Sequence, residues 1–182
     1  MQTNVNTFPR LLLAHAQRQP DAPAVREKDL GIWQTWSWSA VAREVREIAC
    51  GLASLGFKPG DNLAIVGANR PHLYMAVLAA QSLRGVPVPL YQDAVAGEMV
   101  FMLEDAAIDF VIAEDQEQVD KLLECRELEK QGAGIHHIIY DDPRGLRHYE
   151  QPGLFDYDKL RELGRAFDAT HPGYFDRSVE SG

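Results

Sequence analysis

Residues 60–91, GDNLAIVGANRPHLYMAVLAAQSLRGVPVPLY, contain the pattern of a strand, a helix and a second strand. The apolar run 61–66 follows a Pro-Gly turn, which is typical of a strand that is buried on both faces. Asn69 is predicted to cap the helix, and Pro71 to lie in its first turn, where a missing N–H is harmless. Gly85 is predicted to end the helix before the second strand. The stretch therefore predicts a βαβ unit.

The same alternation continues on both sides of this unit. An amphipathic helix is predicted over 7–19, and the runs 24–28 and 32–38 read as a β-hairpin. Further helices are predicted at 96–105 and 114–130, and further strands at 108–113 and 135–140. We expect an α/β fold with a doubly wound, mostly parallel sheet, flanking helices and an amino-terminal β-hairpin. Pro87 and Pro89 place their strand at an edge or an end of the sheet.

The helix predicted over 39–55, with Ser39 as its cap, has the strongest amphipathic pattern. Its apolar stripe consists of Val41, Val45, Ile48, Ala49, Leu52 and Leu55. The charged residues between them are expected to lie outside the stripe, namely Arg43, Glu44, Arg46 and Glu47.

The composition of the sequence changes after residue 140, where Pro and Gly become frequent. We predict that 1–140 forms one α/β subdomain. Residues 141–182 are predicted to form an irregular excursion with one short helix at about 156–167, and the tail from His171 is expected to fray or to cross toward another part of the protein.

Composition limits the classes of function. The formal net charge of −9 argues against binding to nucleic acid or to an anionic membrane surface. No segment has the length and apolarity of a transmembrane helix, and no signal peptide is evident. Cys50 and Cys125 fall in predicted helices and lack a CxxC spacing, so buried thiols in a reducing compartment are expected. A cytoplasmic location is the resulting expectation.

The residue types that usually carry chemistry form no complete motif here. His136 and His137 are neighbours on a strand, so their side chains point to opposite faces and cannot share a metal ion. Asp141 and Asp142 follow that strand, where either a ligand site or a capped turn would explain them. The sequence has no HExxH, GxSxG, GxGxxG or Walker A pattern. We predict no catalytic residue and no metal site.

Several short motifs together resemble the AMP-forming acyl-CoA synthetases, in particular the long-chain fatty acid-CoA ligases of the adenylate-forming superfamily. They are TWSW at 35–38 followed by an amphipathic helix, GD at 60–61, NRP at 69–71 and GVPVPLY at 85–91. The resemblance covers nearly the whole chain. These elements are mostly structural, so they indicate the family more than the chemistry.

The resemblance implies a two-step reaction for the parent enzyme. A fatty acid carboxylate attacks the α-phosphate of Mg-ATP to give acyl-adenylate and pyrophosphate, and the thiol of coenzyme A then displaces AMP. The family binds ATP phosphates with a Ser/Thr/Gly-rich loop that ends in Pro-Lys, and this sequence contains neither that loop nor the downstream lid lysine. We therefore expect an amino-terminal piece that leads toward the phosphate loop, has no catalytic residues and does not catalyse by itself.

Tyr91 and Gln92 are the best candidates for a binding site. They follow the carboxyl end of a parallel strand, which is where ligands gather in doubly wound folds. The resemblance places the corresponding bend near the nucleotide of coenzyme A and assigns Lys121 to its phosphates. The alternatives are local packing of Tyr91 and a solvent-exposed Lys121.

The expected partners follow from the same resemblance. They are a fatty acid substrate, the remainder of the parent enzyme, and a second copy of the chain that covers an exposed apolar face. ATP, Mg and coenzyme A are the cofactors of the parent enzyme, which could be cytoplasmic or peripheral to a membrane. A stand-alone small-ligand or regulatory module on the same scaffold is an alternative, and a pure interaction subunit is another.

Overall fold

The computed structural model describes residues 6–128 and 134–182, which form seven helices and seven strands. The helices are α1 Phe8–Arg18, α2 Trp38–Ser54, α3 Pro71–Ser82, α4 Ala96–Asp105, α5 Gln116–Leu128, α6 Tyr157–Thr170 and α7 Tyr174–Glu180. The strands are β1 Pro23–Asp29, β2 Ile32–Ser37, β3 Asn62–Val66, β4 Val86–Leu90, β5 Phe110–Ala113, β6 His137–Tyr140 and β7 Leu154–Asp156. The end of the predicted helix 114–130 lies outside the described residues.

Strands β3 to β7 form one parallel sheet in the order β4-β3-β5-β6-β7. The chain passes from β3 to β4 on one side and then crosses back to β5 on the other side. The prediction of a doubly wound parallel sheet is thereby confirmed. Strand β4, which contains Pro87 and Pro89, lies at the edge of the sheet, as the prolines predict.

Two hydrophobic cores cover the two faces of this sheet. Leu63 and Ile65 of β3 face a core formed with α1, α2, α3, α6 and α7. Ala64 and Val66 alternate with them and face a core formed with α4 and α5. Because side chains alternate along a strand, a sheet with both faces covered needs the continuous apolar run that β3 has.

The amino-terminal hairpin pairs β1 with β2 in antiparallel register, as predicted. Leu30 and Gly31 turn the chain with φ angles of 46° and 83°, the left-handed values that a two-residue hairpin turn requires. The predicted second strand is one residue too long, because Trp38 is the first residue of α2. Ser37, rather than Ser39, caps α2 and accepts a hydrogen bond from the N–H of Ala40.

The start of α3 also differs from the prediction. Arg70 occupies the cap position with extended backbone angles, and no side chain caps the helix. The Asn69 side chain instead accepts a hydrogen bond from the hydroxyl of Tyr74 at 3.1 Å. Pro71 does lie in the first turn, where its missing N–H leaves one fewer donor without a partner.

Helix α2 packs closely on α6 through two glycines. A Cβ atom on Gly51 would lie 2.4 Å from the backbone oxygen of Leu160, and one on Gly164 would lie 1.8 Å from the backbone oxygen of Glu47. No side chain fits in that space, so only glycine permits this approach. The contact places the charged side of α2 against α6.

This contact buries two acidic residues of α2 that were predicted only to lie outside its apolar stripe. They are Glu44 and Glu47. Arg161 of α6 donates to Glu47 at 2.8 Å, and Arg165 donates to the same carboxylate at 3.2 Å. Burial of these carboxylates is tolerable because cations pair with them.

Residues 141–182 contain more regular structure than one short helix. They contribute β7 to the sheet and both α6 and α7 to the first core, where α7 lies beside α1. Phe175 and Val179 of α7 are buried, and Arg10 of α1 donates to the carbonyl oxygens of Val179 and Glu180. The expected fraying of the tail is wrong, since this apolar side of α7 packs on the core.

Candidate functional site

A polar cleft lies at the carboxyl ends of β3, β5 and β6. The chain leaves β3 toward one neighbour and β5 toward the other, so the loops that follow them diverge. Such a switch point opens a crevice in doubly wound folds, and ligands bind there. The cleft has a volume of about 360 Å³ and is also walled by the hairpin through Glu27 and Asp29.

The loop after β3 is fastened to the residue that follows β5. Gly67 has a φ of 149°, and a Cβ atom there would lie 2.4 Å from Cβ of Glu114, so the two backbones approach as only glycine allows. Glu114 accepts hydrogen bonds from the N–H of Ala68 at 2.5 Å and from Nε of Arg70 at 2.9 Å. Arg70 also donates to Glu27 at 2.6 Å, which ties the hairpin to the sheet.

His72, in the first turn of α3, is held between two carboxylates. Its Nδ1 lies 2.6 Å from Oδ1 of Asp141, and its Nε2 lies 3.1 Å from Oε1 of Glu44. The ring stacks on Tyr157 at 4.6 Å between centroids, and the edge of Trp36 contacts it at 5.7 Å. Residues from the hairpin and from four separate parts of the α/β core thus meet at one imidazole.

This arrangement fixes the protonation of His72. Burial alone would lower the pKa of His72, but the carboxylates of Asp141 and Glu44 outweigh burial and raise that pKa to about 10. Burial likewise opposes ionisation of Glu44, yet hydrogen bonding and charge from His72 hold the pKa of Glu44 below its usual value. His72 is therefore an imidazolium at neutral pH, which can hold and orient groups but cannot accept a proton.

Tyr157 completes the buried network without adding a reactive group. Its hydroxyl donates to Oε1 of Glu44 at 3.2 Å. Burial, followed by the neighbouring Glu44 carboxylate, raises the pKa of Tyr157 well above its usual value, so the phenol stays protonated. The network consists of two carboxylates and two cations, His72 and, at 3.9 Å from Glu44, Arg161, supported by the Tyr157 phenol.

The structure brings two of the three predicted binding residues together. Nζ of Lys121, on α5, donates to the backbone oxygen of Gln92 at 2.6 Å and lies 2.8 Å from Oε1 of Glu117. Tyr91 precedes Gln92 after β4 and is largely exposed. A hydrogen bond from Tyr91 to the Asp93 carboxylate raises the pKa of Tyr91. A binding role for these three residues stays a prediction.

The other candidate residues have structural partners. His136, which precedes β6, pairs with Asp109 at 2.6 Å, and His137 stacks on Phe110 at 4.5 Å with its Nδ1 4.0 Å from the same Asp109 oxygen, so both rings approach one carboxylate rather than lying apart as predicted. Asp142 accepts hydrogen bonds from Arg144, including one from its backbone N–H that forms a capped turn. Across 6–128 and 134–182, no three His, Cys, Asp or Glu side chains are arranged to hold a metal ion.

Both cysteines are buried, as expected. The Sγ atom of Cys50 lies 3.9 Å from Oδ1 of Asp168, and that of Cys125 lies 3.4 Å from the backbone oxygen of Ala96. Burial and the Asp168 carboxylate raise the pKa of Cys50 to about 12, so its reactive thiolate form is suppressed.

Sequence reasoning missed Glu44, His72 and Tyr157. One signal was available: Glu44 lies three residues after Val41 and four before Ile48, which places it at the edge of the apolar stripe of α2. A carboxylate at such a position needs a buried partner. The partners could not be identified from the sequence. Asp141 comes close to His72 only when the sheet forms, and Tyr157 comes close to Glu44 only when α6 packs on α2.

The fold is that of the adenylate-forming enzymes. The structure of acetoacetyl-CoA synthetase from Streptomyces lividans superposes with a TM-score of 0.73 at 21% identity, over 85% of this chain and 24% of that one. A crystal structure described as a putative long-chain-fatty-acid CoA ligase from Rhodopseudomonas palustris gives 0.69 at 19% identity, over 85% and 36% of the two chains. Likeness at these identities shows the shared fold alone.

The sequence defines the family more closely. The family described as AMP-binding enzyme matches residues 12–172, so this chain belongs to that family. An uncharacterized protein of Mycobacterium tuberculosis is 32% identical over 127 residues, covering 70% of this chain and 67% of that protein. A long-chain-fatty-acid–CoA ligase of Mycobacterium bovis is 27% identical over 104 residues, covering 57% of this chain.

The chain spans only a small part of its relatives with a named activity. It covers 17% of the Mycobacterium bovis ligase and 12% of long chain acyl-CoA synthetase 1 of Arabidopsis thaliana, to which it is 33% identical over 84 residues. In the part of the chain that the structure describes, every helix is too short or too polar to cross a membrane.

Proposed function

We propose that this chain serves as the amino-terminal α/β part of an AMP-forming acyl-CoA ligase and is not catalytic by itself. The family match over 12–172 supports the ligase scaffold, and the named relatives support fatty acid activation as the parent reaction. In that reaction the remainder of the enzyme, a fatty acid, Mg-ATP and coenzyme A are the partners of this chain.

The described residues do not fit Mg-ATP. The sequence has no phosphate-binding loop, and four carboxylates of the cleft, all but Asp29, are already paired with Arg70, His72 and Arg144. The cleft therefore offers neither free donors for three phosphates nor a set of free oxygen ligands for Mg²⁺. The role proposed for the cleft is to brace the hairpin and the strand ends that wall the active site of the parent enzyme.

Tyr91 and Lys121 fit the nucleotide end of coenzyme A. When bound, coenzyme A would supply the reacting thiol from its other end. The observation that carries this assignment is the 2.6 Å contact from Lys121 to the Gln92 carbonyl, because it fixes the bend after β4 beside an ammonium group. Glu117, the other partner of Lys121, is 69% exposed, so a phosphate can replace it. The exposed Tyr91 ring provides a face on which an adenine can stack.

Calorimetric titration with coenzyme A and with adenosine 3′,5′-bisphosphate tests this assignment. We expect similar affinities for both ligands, because only the nucleotide end is held. Lys121→Gln should weaken binding at least tenfold, whereas Glu117→Gln should strengthen it by removing a competing carboxylate. Lys58→Gln, at the amino end of β3, is the matched control and should leave binding unchanged. Equal affinities for Lys121→Gln and Lys58→Gln would refute the assignment.

A stand-alone small-ligand module is the second candidate, and one comparison favours it. The 127 matched residues make up 67% of the uncharacterized Mycobacterium tuberculosis protein, so that relative has about 190 residues and is itself short. A stand-alone module would bind its ligand as a monomer with an affinity that Lys121→Gln does not change. The titration above therefore also separates the two candidates.

A further inference from the structure

A second cavity lies at the opposite end of the sheet from the polar cleft. It has a volume of about 530 Å³ and opens between α1, the end of α3 and α7. Phe8, Pro9, Leu11 and Val179 supply its apolar lining. The polar side chains of the lining are those of Asn6, Thr7, Gln81 and Arg84, and Gly85 and Gly182 complete it. A mostly apolar cavity of this size with a few polar groups is the usual form of a small-ligand site.

Asn6 of this cavity accepts a hydrogen bond from Arg10, whereas the side chain of Arg84 and the amide oxygen of Gln81 lack protein partners among the described residues. The guanidinium group of Arg84 makes no hydrogen bond and no ion pair with them, although other arginines such as Arg46 and Arg70 are paired with acids. The amide oxygen of Gln81, one helical turn earlier, is buried and has no hydrogen-bond partner. A ligand with polar atoms would satisfy groups that the protein leaves unused.

The backbone conformation of Arg84 also supports a ligand site. Arg84 has a φ of 62°, a left-handed conformation that usually belongs to Gly or Asn at a helix end. The glycine that follows, Gly85, is needed for packing rather than for the left-handed conformation, because a Cβ atom there would lie 2.5 Å from the ring of Phe57. An arginine thus occupies a strained position at the rim of a cavity, and such strain often accompanies function.

We propose that this cavity binds a small amphiphilic anion, namely an unbranched apolar chain that carries a carboxylate or a phosphate monoester. The chain lies along Phe8, Leu11 and Val179, and the head group pairs with Arg84. The side-chain amide of Gln81 rotates so that its Nε2, rather than the unpartnered oxygen, donates a hydrogen bond to the head group. The site is separate from Tyr91 and Lys121, which lie at the other end of β4, and it does not depend on ligase activity.

The charge of the protein makes the head-group contact specific. With a formal net charge of −9, the molecule as a whole repels anions, so an anion binds only where a local cation outweighs this field. Arg84 is such a cation. The exposed side chain of Phe8 also loses contact with water when the apolar chain binds, which adds a driving force that does not depend on charge.

Calorimetry with dodecanoate and with dodecyl phosphate, both below their micelle concentrations, tests the proposal on the full chain. Dodecyltrimethylammonium has the same chain and the opposite charge, and it serves as the ligand control. Arg84→Asn removes the cation with a residue that tolerates the left-handed backbone, and Arg43→Gln is its control. Leu11→Glu places a negative charge in the cavity, and Leu128→Glu is its control at equal exposure, 42% against 43%.

We expect saturable binding of at least one anion, weakened tenfold or more by Arg84→Asn and by Leu11→Glu but not by their controls. Comparison of dodecanoate with dodecyl phosphate identifies the head group. Coenzyme A should not displace the bound anion, which distinguishes this site from the one at Lys121. Equal binding of the ammonium ligand, unchanged binding in both cavity variants, or no saturable binding would each overturn the proposal.

Discussion

At the scale of single residues, His72 shows how a buried charge can be structural rather than catalytic. Two carboxylates at 2.6 and 3.1 Å keep its imidazole protonated. A catalytic base would need a pKa near neutrality, whereas that of His72 is about 10. The ion pairs connect α2 and α3 to the end of β6, so their main effect is on stability.

Replacing His72 should destabilise the protein strongly. His72→Gln leaves Glu44 buried with only Arg161 at 3.9 Å as a nearby cation. Breaking a buried pair in this way costs about 3 kcal/mol. Urea denaturation measures the change in the free energy of unfolding, and the exposed His148→Gln is the matched control. A loss no larger than that of the control would show that the network does not stabilise the fold.

The stabilising effect of His72 should also depend on pH. Its pKa rises from 6.5 to about 10 on folding, so its contribution is complete below about pH 6.5. Above that pH the unfolded chain releases the proton while the folded chain keeps it, and the contribution is lost as the pH approaches 10. We expect the stability difference between the protein and His72→Gln to shrink over this range. A constant difference would contradict the assigned protonation.

At the scale of elements, local pattern predicted most of the sheet but not what packs on it. The bounds of α4 were predicted because its sequence is apolar on one side and has a clear start and end. Strand β7 has three residues, too few for a periodic pattern, and was missed. The burial of Glu44 and Glu47 was missed because Arg161 and Arg165 lie more than 100 residues away in sequence.

The α2–α6 contact gives a sharp prediction at this scale. Gly164→Ala should destabilise the protein by at least about 2 kcal/mol, because the added Cβ would lie 1.8 Å from the backbone oxygen of Glu47 and force the helices apart. Gly97→Ala in α4 meets no atom within 4 Å and should be neutral or stabilise by up to about 1 kcal/mol. Thermal or urea unfolding of both variants measures the difference. Similar effects of the two substitutions would contradict the close packing.

At the scale of the whole molecule, the edge strand β4 combines exposed apolar side chains with a blocked backbone. The N–H of Val86 bonds to the oxygen of Asp61, so in the parallel ladder Pro87 and Pro89 occupy the positions that face outward. The edge therefore offers no outward N–H groups to an added strand. Any self-association along β4 has to use side chains such as Val86 and Tyr74, both of which are exposed.

The predicted homodimer can be tested on this edge. Light scattering over a range of concentrations should show that the protein associates. Val86→Lys should weaken this association at least tenfold, since burying a charged lysine in an apolar contact is unfavourable. Leu128→Lys, at an exposed position on α5, is the control and should have no effect. Association that is equally sensitive to both substitutions, or a monomer at all concentrations, would refute a dimer through this face.

The candidate binding residues were predictable only in part. Tyr91 and Gln92 could be placed at a strand end by position alone, since every parallel strand leads its chain to the same edge of the sheet. The pairing of Gln92 with Lys121 depends on how α5 lies over that edge, which no local pattern specifies. The cavity at Arg84 was invisible in the sequence, because α1, α3 and α7 meet there only in the folded chain.

Calorimetric titration with Mg-ATP, combined with an assay for pyrophosphate release in the presence of dodecanoate and coenzyme A, tests the central claim most directly. If the chain is a non-catalytic part of a ligase, it will release no pyrophosphate, and any saturable heat with Mg-ATP will disappear in Lys121→Gln, because ATP shares its adenine and phosphates with the nucleotide end of coenzyme A. Micromolar ATP binding that Lys121→Gln leaves unchanged, or any turnover, would contradict this account and favour a stand-alone nucleotide-binding module.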